Sequence, residues 1–531
     1  MNSFLLHHLL MESAENFPDN IAVVINDKTI DYKTLERKSD QLSTMLSRAG
    51  VRQGQRVGII LKKSIESIIS IFGILKAGAV YVPIDPFIPQ ERINFIIKNC
   101  DIRCLLTSRD RLKKINTQDH PAIQHIVLAH DRQANDSLPD GVEIHYWDEL
   151  EDVPGTPLKD PDICDQSPAY ILYTSGSTGV PKGVTFSHLN SLTFVNTAAD
   201  FFNIQPEDRL ASHAPLHFDL SIFDIFAAIK TGAAIVLIPE FFSTFPKKIS
   251  EYIVKKDISI WNGVATSLVI MATRGNIENF NFSSLRLILF SGDIMPVKYL
   301  RKLKEHIPSA DFYNIYGQSE ANSSLYYKID RIDAEDSWKI PIGKPFPNFE
   351  VFALNDEGHT VRHPGEKGEL YIKGSTVALG YWRNTEKTRD HFVADPMQES
   401  GGARVFRTGD IVKLDNDCNY VFIGRKDSIV KSRGYRIELD EIEAVLNSHS
   451  LVNQAVAVSI PDDMFGNRII ACVSPYNENE LDSNTITEYC SKTLPKYMIP
   501  ERIRIMDQLP ETSTGKIDRN ILRDEVAGVA P

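Results

Sequence analysis

Between Ser64 and Ile84 the chain reads SIESIISIFGILKAGAVYVPI. Apolar side chains at Ile65, Ile68, Ile69, Phe72 and Leu75 recur three and four residues apart, the spacing of one helix face, and Gly78 closes the run. The pattern predicts a buried helix followed by a strand. Lys76 interrupts it and Pro83 ends it, so the stretch is too short and too broken to cross a bilayer. Short β-branched runs recur elsewhere, as RVGIIL (56–61), AAIVLIP (233–239) and LRLILFSGD (285–293), with helix-like segments between them. Strands alternating with helices predict α/β layers with mainly parallel sheets, in which ligands sit beyond the carboxyl ends of the strands. Two apolar strands, ending at Tyr173 and Phe290, run into Gly/Ser turns as that rule requires.

The character of the chain changes near residue 425, where GRKDSIVKSRGYRIELDEIEAVL is dense in charge and opens onto a helix-like LDEIEAVLNSH. At ~100–200 residues per domain, 531 residues hold more than one. The expectation is a large N-terminal domain of layered mixed sheets and helices, residues 1–426, and a small, mobile C-terminal α+β domain, residues 427–531. No internal repeat, heptad run or low-complexity segment interrupts this division.

Composition narrows the function. Apolar residues at 42% and charged residues at 24% suit a full globular core. A net charge of −12 argues against sequence-independent nucleic-acid binding, which needs a basic face. Six cysteines are scattered without paired Cys/His spacing for zinc, which points to free, mostly buried thiols in a reducing compartment. The N-terminal MNSFLLHHLLMESAENFPDN lacks a basic n-region, so no signal peptide is expected and the predicted location is cytoplasmic, without membrane attachment.

The candidate chemistry lies in YTSGSTGVPKG, residues 173–183. Small residues there leave backbone N–H groups and hydroxyls exposed, and Lys182 adds one cation; phosphate oxygens accept from all three. A Gly/Ser run is by itself a flexible linker. This one abuts a buried-looking strand and carries a single proline-stiffened lysine. It is not a Walker loop, because Lys182 follows Pro181 and precedes Gly183.

YTSGSTGVPKGV resembles the phosphate loop of the adenylate-forming superfamily, which holds acyl- and aryl-CoA ligases, luciferases and the adenylation domains of nonribosomal peptide synthesis. Further blocks follow in order: LKAGAVYVPIDP (75–86), NIYGQSE (314–320), GELYIKG (368–374), FRTGD (406–410), GRKDSIVKSRGYRIELDEIE (424–443), LPKYMIP (494–500) and STGKIDR (513–519). The resemblance spans nearly the whole chain, and YVPIDP, KYMIP and GKIDR are more like the amino-acid-activating branch than the CoA ligases.

The resemblance implies a two-step reaction: a carboxylate attacks the α-phosphate of ATP to give an acyl-adenylate and pyrophosphate, then a thiol displaces AMP. It assigns Thr174, Ser175, Gly176, Ser177, Thr178, Gly179 and Lys182 to the β- and γ-phosphates, and Glu320 with Thr174 to Mg²⁺. Asn314, Tyr316, Gly317 and Ser319 border the nucleotide; Asp410 accepts from the ribose hydroxyls with Arg425 beside it. Lys516 bridges the α-phosphate and the substrate carboxylate, where a cation offsets the repulsion of two anions. Asp427 is the hinge, and Lys431 with Gly434 serves the second step. The departures are Gln318-Ser319 for the commoner Pro-Thr, Thr514 for Asn and Asp440 for Gly.

HFDLSIFDIF (217–226) resembles the substrate-binding segment, in which Asp219 pairs with an α-ammonium behind Phe218, the aromatic gate. Asp219 reads equally as a helix N-cap. Alignment with a phenylalanine-activating relative places Leu220, Phe223, Asn262, Ile288, Phe290, Ile315, Ser323 and Ser324 around the side chain. That wall favours a small or medium neutral amino acid, proline first, since the segment resembles stand-alone enzymes that load proline onto a carrier. Only 15 residues follow Lys516, with no phosphopantetheine serine, so a free-standing enzyme with a separate carrier protein as thiol acceptor is expected. A CoA ligase for a plain carboxylic acid and a non-catalytic nucleotide-binding relative are the rival readings.

Overall fold

The computed structural model describes residues 4–129, 139, 141–155, 161–175, 180–333, 335, 338–398, 403–426, 429–476, 481–510 and 517–528. The helix foreseen in the first apolar stretch runs Ile65–Lys76. Ser64 starts it with a capping box shared with Ser67, and Gly78 leaves it at φ +71°. Residues 67–76 are buried all round, because the helix lies between layers rather than on a surface. The chain then turns directly into the strand Val80–Pro83.

That strand belongs to an eight-stranded sheet whose interior, from Pro168–Thr174 through Val80–Pro83, Arg56–Ile60, Cys104–Thr107 and His125–Leu128 to the edge strand Glu143–Tyr146, is parallel. Lys182–Ser187 adds antiparallel to Pro168–Thr174, so the segment expected to hold phosphate connects two paired strands. A nine-stranded sheet repeats the logic: Asp311–Gln318, Leu287–Ser291, Ile260–Val264, Arg209–Ser212, Ala234–Leu237 and Ile21–Ile25 run parallel, with antiparallel strands added at both margins. One large hydrophobic cluster draws on both sheets and on the helix Ile65–Lys76. A five-stranded antiparallel sheet, including Lys367–Lys373, Arg404–Leu414 and Tyr420–Arg425, closes this part.

Beyond it, the hairpin Ile429–Ser432/Tyr435–Glu438 turns through Arg433 at φ 55° and Gly434 at φ 82°. Two consecutive positive φ values make the tight turn whose twist matches a hairpin. A three-stranded sheet, Val452–Asp462, Gly466–Pro475 and Arg502–Ile505, follows with the helices Leu439–Asn447, Ser483–Thr493 and Arg519–Ala527. Its buried side chains, from Ile437 to Val526, form clusters of their own. This is the expected α/β architecture, with a small α+β portion after the large one. All six cysteines are free, four of them buried. No helix among the described residues is long and apolar enough to cross a membrane.

Candidate active site

Four strands end at one place. Leu172–Ser175, Val264, Ser291–Gly292 and Gly317–Ser319 line a cavity of about 110 Å³ at the carboxyl ends of Pro168–Thr174, Ile260–Val264, Leu287–Ser291 and Asp311–Gln318. Phe218, Asp219, Leu220 and Phe223 enter from the segment after Ser212, and Lys431, Gly434, Tyr435 and Arg436 close it from the hairpin. Gly434 must be glycine: a Cβ there would stand 2.5 Å from Cγ1 of Val264, and its φ is positive.

Asp219 lies deep beneath the protein surface but keeps an open side toward the cavity. Its Oδ1 accepts from the Leu220 N–H at 2.9 Å, capping the helical turn Leu220–Ile222, and its Oδ2 accepts from Ser319 Oγ at 2.8 Å. Burial raises its pKa against those two donors. Among the described residues no side-chain cation stands within ion-pair distance of it. The N-cap role and the ammonium-binding role therefore coexist in one carboxylate.

Glu320 is fully buried. Its oxygens accept from Arg436 at 2.7 and 2.9 Å and from the Tyr381 hydroxyl at 2.7 Å. Burial alone would raise its pKa; the Arg436 and Lys182 charges outweigh that and hold it at about 2. Lys182 is buried too and pairs with Glu438 of the hairpin at 2.5 Å. Burial, then the nearby Arg436 charge, lowers its pKa, opposed by Glu438 and Glu320. Two cross-linked ion pairs thus tie the hairpin to the expected phosphate lysine and the expected metal-binding acid. Ser175 Oγ donates to the Arg436 carbonyl at 2.7 Å, and Thr174 Oγ1 is buried without a hydrogen-bond partner among the described residues.

Lys431 faces the same cavity, its Nζ 5.6 Å from the Tyr316 ring centroid, and desolvation lowers its pKa. Tyr316 and Arg425 both bind the Asp410 carboxylate, and Gln318 Nε2 donates to it at 2.8 Å. Gln318, one of the departures from the family pattern, therefore joins NIYGQSE to FRTGD. Asn314, two residues before Tyr316, donates to the Pro341 carbonyl at 2.8 Å.

The structure divides the expected substrate wall. Leu220, Phe223 and Ser323 line the cavity, but Asn262, Ile288, Phe290, Ile315 and Ser324 do not. Side chains alternate along a strand, so a one-residue error in alignment exchanges the two faces. In Leu287–Ser291, Ile288 and Phe290 pack into the hydrophobic cluster behind the sheet, and it is Ser291 that reaches the cavity. Asn262 instead donates to the buried Asp224 at 2.8 Å, and Val264, two residues on, lines the cavity. Ile315 belongs to the main core, and Ser324 is buried with its hydroxyl on the Ala321 and Asn322 carbonyls. Gly176, Ser177, Thr178, Gly179, Asp427 and Lys516 lie outside the described residues. Sequence reasoning missed Ser291, Tyr381, Arg436, Glu438 and Tyr497; Arg436 and Glu438 stood inside a quoted motif, and their charge in a stretch adjoining Lys431 was the available signal.

The AMP-binding enzyme family model matches residues 10–382, and that of the AMP-binding enzyme C-terminal domain matches residues 441–516. The chain belongs to the AMP-binding enzyme family. Use of ATP goes with that membership. It is 34% identical over 528 residues, 99% of this chain and 100% of the relative, to an L-proline--[L-prolyl-carrier protein] ligase of Pseudomonas fluorescens (strain Pf-5). A ligase of the same name from Streptomyces coelicolor is 32% identical over 93% of this chain and 92% of its own. The Vibrio cholerae adenylation domain AlmE, solved in complex with glycyl-adenosine-5'-phosphate, superposes at a TM-score of 0.84 with 22% identity, over 99% of both chains, which shows the fold.

Proposed function

We propose that the protein activates a small neutral amino acid, L-proline first, with ATP and transfers it to the phosphopantetheine thiol of a separate carrier protein. The observation that carries the amino-acid part is Asp219: a carboxylate set deep in the wall of a small cavity and held by two neutral donors, with no side-chain cation within ion-pair distance among the described residues. A buried acid without a counter-charge is costly, and a ligand ammonium removes the cost. Similarity to two ligases named for L-proline, one matched over its full length, supports the choice of substrate and of a carrier as acceptor.

In the first step a carboxylate oxygen attacks the α-phosphorus, the bond to the β-phosphate bridging oxygen breaks, and pyrophosphate leaves. Lys182 is suited to the leaving phosphates and Lys516, by its motif, to the two anions that meet. The donor set fits Mg²⁺: Glu320 is an ionised hard-oxygen ligand, and the orphaned hydroxyl of Thr174 lies by the same cavity. Bound there, Mg²⁺ would neutralise phosphate charge. In the second step the thiol sulfur attacks the carbonyl carbon and AMP leaves with the carboxyl oxygen. The arrangement of this structure suits that step, since Lys431 faces the cavity while Glu438 and Arg436 occupy Lys182 and Glu320. A second cavity of about 460 Å³ shares His217, Phe218, Tyr435 and Tyr497 with the first and is bordered by Arg433 and Lys496, which suits the approach of a phosphate-bearing thiol arm.

The test is ATP–pyrophosphate exchange over the common amino acids, followed by mass measurement of thioester on phosphopantetheinylated carriers and on CoA. Exchange led by proline, with carrier loading, is expected. Exchange only with plain acids, or efficient aminoacyl-CoA formation with no carrier loaded, overturns the reading and installs the CoA ligase.

A further inference from the structure

Three polar side chains unrelated to the cavity converge at the far edge of the eight-stranded sheet. The parallel strands His125–Leu128 and Glu143–Tyr146 pair with His125 opposite Glu143 and Val127 opposite His145. Residues two apart share a face of a strand, so His125, Glu143 and His145 all project from the same side, while Ile126 and Leu128 pack into the core on the other. His145 Nε2 lies 3.4 Å from His125 Nδ1; His125 Nδ1 lies 3.4 Å from one Glu143 oxygen, and His145 Nε2 3.8 Å from the other. The two rings are stacked, centroids 5.7 Å apart at 28°. Among the described residues this is the group of His, Cys, Asp and Glu whose ligand atoms gather within 4.8 Å.

We propose that His125, Glu143 and His145 form a binding site for a divalent transition-metal ion of the zinc class, separate from the Mg²⁺–ATP site. Two nitrogens each ~2.0–2.1 Å from a tetrahedral zinc stand ~3.3–3.4 Å apart, and the two imidazole nitrogens already have that separation. Two nitrogens and a carboxylate suit zinc, cobalt or nickel, whereas magnesium and calcium prefer all-oxygen sets. Both rings are largely buried and the carboxylate is mostly exposed, which leaves the outward position open to water or another ligand. Glu143–Tyr146 is the edge strand, held through one neighbour. An ion bridging it to His125–Leu128 would pin that edge. Sequence spacing gave no sign of the site, since its ligands come from two strands joined only through the sheet.

The full chain, freed of metal with a chelator, is titrated with Zn²⁺ by calorimetry in Mg²⁺-free buffer. One equivalent is expected to bind tightly and raise the melting temperature. His125→Ala, His145→Ala and Glu143→Gln should each weaken binding by at least ~10–100-fold, the range already seen for outer-shell partners, while ATP–pyrophosphate exchange stays at the wild-type rate. Co²⁺ bound to the unmodified protein should give the intense visible bands of four- or five-coordination, a readout that does not depend on the variants folding. Absence of stoichiometric binding, wild-type affinity in all three variants, or a weak octahedral cobalt spectrum overturns the proposal and leaves the rings as a simple N–H···N pair.

Discussion

Replacing Glu438 with glutamine separates the two roles of the hairpin. In this structure Glu438 and Lys182 are both almost wholly buried, with side chains 3% and 4% exposed, at 2.5 Å. Glutamine keeps the shape but leaves Lys182 covered and without that carboxylate. Breaking a buried pair by removing one partner costs ~3–5 kcal/mol. The amide oxygen still accepts and Glu320 still contributes charge, so ~3 kcal/mol, the lower end, applies. At ~1.4 kcal/mol per factor of ten, that disfavours the hairpin-closed arrangement about 100-fold. The cost exists only while the hairpin covers Lys182; with the hairpin away, the ATP phosphates meet the same lysine. Glu438→Gln should therefore lower the KM for ATP in pyrophosphate exchange. It should also slow single-turnover thioester formation from preformed aminoacyl-adenylate, by up to ~100-fold. Two assays on one preparation decide it. An unchanged KM for ATP together with unchanged thioester transfer would refute the reasoning, because it would mean that the ion pair does not compete with the triphosphate.

Three further outcomes are expected. Asp219→Asn should raise the KM for the amino acid far more than that for ATP, with loss of a buried ion pair setting the scale at ~3–5 kcal/mol; an unchanged amino-acid KM would leave Asp219 as the N-cap of Leu220–Ile222 alone. Lys516→Ala should abolish pyrophosphate exchange while ATP still binds and while transfer from supplied adenylate survives, and near-normal exchange would show the motif assignment to be wrong. Glu320 ionises at about 2 in the fold against 4.5 as a free side chain, so its pairing stabilises the protein above pH 4.5 and that contribution fades as pH falls toward 2; the difference in urea midpoint between wild type and Glu320→Gln should be wide at pH 6 and shrink below pH 4.5, and a constant difference would contradict the pairing with Arg436.

Much of this protein was legible along the chain. The helical spacing of Ile65 to Leu75 and the β-branched runs at 56–61, 233–239 and 285–293 became a buried helix and parallel strands, because period and bulk are local properties of a segment. The strand ends foreseen to lead into Gly/Ser turns meet at a cavity through Thr174–Ser175 and Ser291–Gly292, since in parallel sheets the carboxyl ends point the same way. Lys182, Asp219, Glu320, Asp410 and Lys431 were singled out as candidates by residue type and motif without any knowledge of their neighbours.

Their partners were decided by tertiary structure. Lys182 meets Glu438 across 256 residues of chain, and Glu320 meets Arg436 across 116; no local periodicity encodes such a meeting. The wall of the cavity depended on strand parity: Ile288 and Phe290 are as apolar as a pocket could ask, yet the pleat turns them into the core and gives Ser291 to the cavity. Gln318, a departure of no evident consequence in the sequence, proved to bridge two motifs through Asp410. His125, Glu143 and His145 came together only because two strands pair in one register. Composition and period determined which segments fold and which residue types can do chemistry, because those depend on near neighbours alone. Which charge faces which, and which side chain reaches the cavity, depends on contacts between distant segments that exist only once the sheets have formed.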